Sequence, residues 1–371
     1  MATVQSIIIA LLTFGLLIFV HELGHYIAAK RAGIKVNEFA MGMGPVLFSF
    51  TKGETRYSIR AFPIGGFVAV EGEDGKSESE DNSSSADGES AIILGDENTD
   101  RHKRKKSLPF QEAKLSGRFI FVLAGSAMNL LLGFIIVYVL STQQTMFTSN
   151  IVASFGEDAA SSSFLQVGDE IVRVNGSRVR TGNDMFYEFS RSRTGLMDLE
   201  VNRNGETIQL PGVQFDMQHL DGDVSIINLD FRVFGIERTP QNTLYHAFNR
   251  TVFYGRMIWG SLVDLVTGRY NLNHISGPVG ITQQIGEVAA TRSWGHLFEM
   301  MALITINLGI FNLLPIPALD GGRLMFLLIE LVRRRPINPK YEGYVHAAGF
   351  VLLIGLIIVV TLSDIIGLVT A

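Results

Sequence analysis

His21, Glu22 and His25 are the residues whose types and spacing most directly suggest chemistry. They lie in His21-Glu22-Leu23-Gly24-His25, a match to H-E-x-x-H. On a helix, positions i and i+4 share one face, so each imidazole can offer a nitrogen to a single zinc ion. Glu22 sits one position along. It is placed to act as general base toward a water and then to return the proton to a leaving amine. The bland alternative is a helix end whose polar side chains reach the membrane interface. That reading does not account for two histidines at ligand spacing.

A hydrolytic zinc site uses three protein ligands and leaves one position open. The remaining histidines (His102, His219, His246, His274, His296, His346) are expected in loops or on the opposite side of the membrane. A carboxylate is therefore the better third ligand. The stretch Asn312-Leu313-Leu314-Pro315-Ile316-Pro317-Ala318-Leu319-Asp320-Gly321-Gly322 supplies Asp320. Pro315 and Pro317 end a regular helix, and the paired glycines permit a sharp turn. The competing role for Asp320 is to cap a helix starting near Arg323.

The elements that must position these groups are apolar. The chain has 371 residues, of which 47% are hydrophobic and 18% charged, below the roughly 25% charged of soluble domains. Ser6 to Ala29, Phe119 to Leu140, Leu297 to Leu314 and Val345 to Val369 are long apolar runs, and about 20 such residues span a bilayer core. The first is read as a retained helix, since no Lys or Arg precedes it and no small-residue cleavage site follows. Lys30 and Arg31, the basic cluster Arg101 to Arg118, and Arg333 to Lys340 then fall on one side, which the positive-inside rule makes cytoplasmic. Both termini and the segment 142–237 are expected outside. A net charge of −5 argues against a nucleic-acid partner. The absence of cysteine excludes thiol catalysis and cysteine-ligated metals.

The chain is thus predicted to be a polytopic α-helical membrane protein with four spans and two insertions. Residues 1–75 carry the first helix and a membrane-associated β-hairpin within Arg56 to Glu71, its Pro/Gly-rich turn running from Phe62 to Phe67. Residues 76–107 have the composition of a disordered cytoplasmic loop. Residues 108–141 hold the second span. Within 142–237, Gly168-Asp169-Glu170-Ile171 followed by Val174-Asn175-Gly176 resembles a PDZ signature, and such domains capture peptides at a sheet edge. Residues 238–296 contain an amphipathic interfacial helix over Thr243 to Thr267, and 297–371 the last two spans.

H-E-x-x-H in a first span, with N-x-x-P-x-P-x-L-D-G in a later one, resembles the site-2 protease family of intramembrane zinc metalloproteases. The order of parts is similar to its RseP (regulator of sigma-E protease) branch. The resemblance covers nearly the whole chain outside 76–107. It implies one zinc ion on His21, His25 and Asp320, with Glu22 catalytic. It also implies roles near the substrate for Asn312 and for Asn129, the latter in Gly125-Ser126-Ala127-Met128-Asn129, where Ser126 replaces the family proline. The hairpin around Phe67 would pair with an unwound substrate. The implied activity is cleavage within the transmembrane helix of single-span proteins in the bacterial cytoplasmic membrane, such as trimmed anti-sigma factors or remnant signal peptides. The rival readings are a non-catalytic PDZ scaffold and a metal transporter.

Overall fold

The computed structural model describes residues 2–72, 107–192, 194–219, 225–268, 277–291 and 293–370. The loop expected over 76–107 lies outside the described residues except for Ser107. In chain order the helices are α1 (Ala2–Ala32), α2 (Leu115–Thr142), α3 (Gly182–Ser190), α4 (Pro240–Val266), α5 (Pro278–Ala290), α6 (Trp294–Asn312), α7 (Asp320–Arg333) and α8 (Pro339–Thr370). The strands are β1 (Val36–Lys52), β2 (Thr55–Val70), β3 (Met146–Phe155), β4 (Glu170–Val174), β5 (Ser177–Arg178), β6 (Leu196–Arg203), β7 (Glu206–Gln214), β8 (Met217–His219), β9 (Ser225–Ile227) and β10 (Phe231–Glu237). Contacts divide the chain into two compact units, residues 1–136 with 258–371, and residues 137–257.

In the first unit, stretches of α1, α2, α6 and α8 are long and apolar enough to cross a membrane, as Ile7–Ala32, Leu115–Thr142, Trp294–Asn312 and Lys340–Ile366. Their large side chains largely face outward, as do Leu12, Ile120, Val351 and Leu352, which is how a helix meets lipid rather than water. Close helix approach then relies on small residues. A side chain at Gly24 of α1 would run into the backbone of Ala124 on α2. Polar clasps hold the helices elsewhere. The Arg118 guanidinium of α2 donates to both carboxylate oxygens of Glu330 on α7, at 2.5 and 3.0 Å. Asp364 of α8 accepts the backbone N–H groups of Gly277 and Gly280, at 3.1 and 2.8 Å, and so caps the start of α5.

The β1–β2 ribbon differs from the expected hairpin. It uses residues 36–70, and its tip is at Gly53-Glu54 rather than Phe62 to Phe67. Ala40 pairs with Phe67 on one edge and Ser58 on the other, and Met41 with Gly66 and Ile59. Each long strand therefore bends back on itself, β1 at Gly42 and Gly44 (both φ +85°) and β2 at Gly65 (φ +84°). The sequence signal at Phe62 to Phe67 is real, but it marks this second bend. Phe39 fixes the ribbon to α1, with its ring 6.0 Å from Phe19 and 5.3 Å from Tyr26. The Tyr26 hydroxyl lies 2.6 Å from that of Tyr57. Burial and this neighbour push the Tyr57 phenol up to about 12.

The second unit is β-rich, with antiparallel order β10-β3-β4-β6-β7 and β5 on β4. Alternation builds its core: Met197, Leu199 and Val201 of β6 point inward with Ile171, Phe189, Phe215 and Phe231. Two Asn-Gly pairs, Asn175-Gly176 (φ +48° and +79°) and Asn204-Gly205 (+53° and +88°), close the β4–β5 and β6–β7 hairpins with primed turns. Asp169 is wholly buried and satisfied. It accepts from Arg203 Nε and Nη2, both at 2.7 Å, and from the Gln166 N–H at 2.8 Å. Burial alone would raise its carboxyl, but the Arg203 guanidinium holds it below the usual carboxylate range. On α4 the exposed face carries Leu244, Phe248, Trp259 and Val263, while Asn249 and Asp264 are buried.

Candidate metal centre

Three elements deliver the site. α1 continues without a break through His21 and His25 and places both rings on one side. α6 ends at Asn312, and the two prolines that follow force a run of tight turns, Leu314–Ile316 and Ile316–Leu319. Ala318 within them has φ +74°, a left-handed conformation rare for a residue with a side chain. α7 then begins at Asp320, and no side chain caps it. The Asp320 carboxylate is therefore not spent on a helix cap. Gly321 is needed for close approach, because a Cβ there would meet the backbone of Leu313 and Leu314.

The three side chains converge. His21 Nε2 lies 3.2 Å from His25 Nε2, and Asp320 Oδ2 lies 3.2 Å from the first and 3.3 Å from the second. All three donor atoms fall within 4.8 Å of one another, and both histidines are buried. His25 Nδ1–H donates to the Phe121 carbonyl at 2.8 Å, which leaves the Nε2 lone pair directed at Asp320. Asn129 lies 3.2 Å from His21 Nδ1, and its own Oδ1 is buried without a partner. Turning that amide over lets Oδ1 accept the His21 Nδ1–H and frees the Nε2 lone pair there as well. Asp320 Oδ2 likewise has no hydrogen-bond donor. With the amide in that orientation, two imidazole lone pairs and a carboxylate oxygen face one point. Such an arrangement is costly unless a cation occupies it.

The centre lies in a cavity of about 690 Å³ lined by Glu22, the β2 residues Gly66 to Ala69, Arg323 and the α8 residues His346 and Phe350. Glu22 thus opens onto the same space as the donors. Phe67 is in the lining, with Arg60 over its ring at 4.9 Å. Asn312 Nδ2 is 3.4 Å from His21 Nε2. Of the residues singled out from sequence, Asn129 and Asn312 each approach His21, and neither is in the cavity lining.

Two functional positions escaped sequence reasoning. Gly125 of α2 lies against the imidazoles, and a Cβ there would fall on the rings of His25 and His21. The G-x-x-x-N motif contained it, but only the packing shows its purpose. His346, set aside from sequence with the other histidines, lines the cavity and accepts the Ala318 N–H at 2.9 Å. The apolar run from Val345 hides that α8 begins at Pro339 and carries His346 to the cavity wall. Of the other histidines, His246 stacks on Phe147 at 4.4 Å in the second unit, where burial lowers its pKa. His296 lies 2.8 Å from Ser293 Oγ.

Apolar helices around a buried nitrogen–oxygen donor set define a membrane metallopeptidase. Comparison with known proteins agrees. The family model described as peptidase family M50 matches residues 9–356. A zinc metalloprotease RasP of Geobacillus kaustophilus is 32% identical, with 98% of each chain covered. The regulator of sigma-W protease RasP of Bacillus subtilis is 31% identical, also over 98% of each. A putative zinc metalloprotease of Clostridium perfringens is 33% identical over 97% of this chain and 98% of its own. The chain belongs to peptidase family M50, the site-2 proteases, and is a metalloendopeptidase.

Proposed function

We propose that the chain is an intramembrane protease in which His21, His25 and Asp320 hold one zinc ion and Glu22 is the catalytic base. The convergence of three metal-ligating donor atoms within 4.8 Å of one another carries this reading. Two imidazoles and one carboxylate suit zinc, and these three residues would hold it beside the cavity. Bound there, zinc would supply Lewis acidity to the scissile carbonyl and to the attacking water. Glu22 takes the proton of that water and delivers it to the leaving amine. Asn312, beside His21, is placed to donate to the substrate backbone. The β2 stretch Gly66 to Ala69 pairs with β1 on one side and lines the cavity on the other. It is placed to take an unwound substrate segment as an added strand, with Phe67 packing beside it.

The proposed substrates are the transmembrane helices of single-span proteins in the bacterial cytoplasmic membrane. A relative is named as the regulator of sigma-W protease. By that likeness they include trimmed anti-sigma factors, and remnant signal peptides belong to the same class. The basic clusters flanking the spans support a site toward the cytoplasm with both termini outside. The β-rich unit is then extracytoplasmic, and its edge strand β10 beside β3 offers a PDZ-like edge for reading a trimmed ectodomain. The apolar exposed face of α4 suits a helix lying at the outer interface.

The test is cleavage of a single-span substrate in detergent by wild type and Glu22→Gln. The variant should hold zinc at about one ion per chain and lose roughly a hundred-fold or more in rate, the scale of a lost general base. Product mass should place the cut inside the apolar segment. A fully active Glu22→Gln enzyme sinks the assignment. Metal flux in proteoliposomes without proteolysis would favour a transporter, and metal-free wild type a scaffold.

A further inference from the structure

We infer that His346 is a positioning residue that holds the Asp320-bearing turn in ligating geometry; this rests on the zinc site proposed above. Asp320 is presented by irregular backbone, not by the interior of a helix. The residue two before it, Ala318, sits at φ +74°, a conformation that is strained for a non-glycine residue. Such a residue persists only where its surroundings impose it.

The imposing contact comes from α8. The Ala318 N–H donates to His346 Nδ1 at 2.9 Å. A backbone N–H can only donate, so Nδ1 is unprotonated and the neutral ring carries its proton on Nε2. The same helix presses on the turn one residue earlier: a side chain at Gly349 would run into the Pro317 backbone. The His346 ring is set by Phe326, 5.6 Å away. The rest of this helix is sparsely packed, with only 11% of its apolar window buried, and its other tie lies near the far end, where Asp364 clasps the start of α5. His346 acts through Ala318 and touches neither metal donors nor reacting atoms.

The acceptor role is separable from ring volume. In Asn the side-chain oxygen stands the same number of bonds from the backbone as His Nδ1, and Leu has that shape without an acceptor. Full-length His346→Asn and His346→Leu are compared with wild type by chelator competition for zinc, by thermal melting of the metal-free protein, and by kcat and KM. Loss of an outer-shell partner typically weakens metal binding by about 10–100-fold. The Leu variant should show such a loss, with lower kcat and little change in KM. The Asn variant should stay close to wild type. Ala318→Gly in the Leu background should recover part of the affinity, because glycine holds φ > 0 without a tether. Wild-type zinc affinity in the Leu variant overturns the inference. So does equal loss in Asn and Leu, which would assign the effect to ring packing. Should the Leu variant fail to accumulate, His346→Ser, whose hydroxyl is too short to reach, is read against Asn in the same way. If wild type itself binds no zinc, the metal site fails first and the tether falls with it.

Discussion

Asp169 in the β-rich unit and Asp320 in the helical unit are both withdrawn from water, and they are treated in opposite ways. Asp169 has a guanidinium and a backbone N–H closing around it, so each oxygen has a donor. Asp320 has two imidazole nitrogens beside Oδ2 and no donor for that oxygen. A buried carboxylate oxygen is common to both, although Asp320 as a whole is only part-buried. What separates a structural carboxylate from a candidate ligand is whether the protein has already supplied its counter-charge.

The contrast breaks most sharply under deletion of each group. Asp320→Ala should abolish cleavage and weaken zinc by more than the roughly 10–100-fold of an outer-shell loss. The metal-free protein should melt no lower than wild type, because an acceptor without a donor has been removed. Asp169→Ala should leave zinc affinity unchanged and destabilise the β-rich unit by about 3 kcal/mol, since it strands Arg203. Urea-dependent proteolysis within residues 137–257 reads that loss. Comparable destabilisation in both metal-free variants would erase the distinction.

Acid sharpens it. Asp titrates near about 3.9 in the unfolded chain, and Asp169 lies lower when folded. Its contribution is complete above the unfolded value and is lost as pH falls through the folded one. The β-rich unit should therefore weaken below about pH 4, and Asp169→Asn should flatten that slope. A smaller effect is expected from Gly125→Ala, whose methyl group meets both rings. Zinc affinity should fall about ten-fold, the lower end of outer-shell perturbations. Smallest is Gly205→Ala, with φ +88° in a primed turn. It should cost the β-rich unit about 1 kcal/mol and leave the metal centre untouched.

What was legible in the sequence depended on local pattern. The H-E-x-x-H spacing, the apolar runs and the two Asn-Gly turns each state their structure within a few residues, and His21, His25 and Asp320 do meet. The ribbon was only half legible. Arg56 to Val70 alternates, but its partner begins at Val36 and runs through Met41-Gly42-Met43-Gly44, which carries no period of two. α5 was hidden because its cap, Asp364, lies far along the chain in another helix. His346 was hidden for the same reason. Its partner is a backbone amide, a group every residue but proline possesses, so nothing in the sequence marks it.

The Asp364 clasp also has an order in time. Residues 277–280 leave the ribosome before α8 is made, so the N–H groups are waiting when the carboxylate arrives. A charged side chain entering a bilayer alone is costly, and this one arrives to a ready partner. Cutting the chain between α6 and α8 and supplying the halves in the reverse sequence would send Asp364 into the membrane with nothing to meet it.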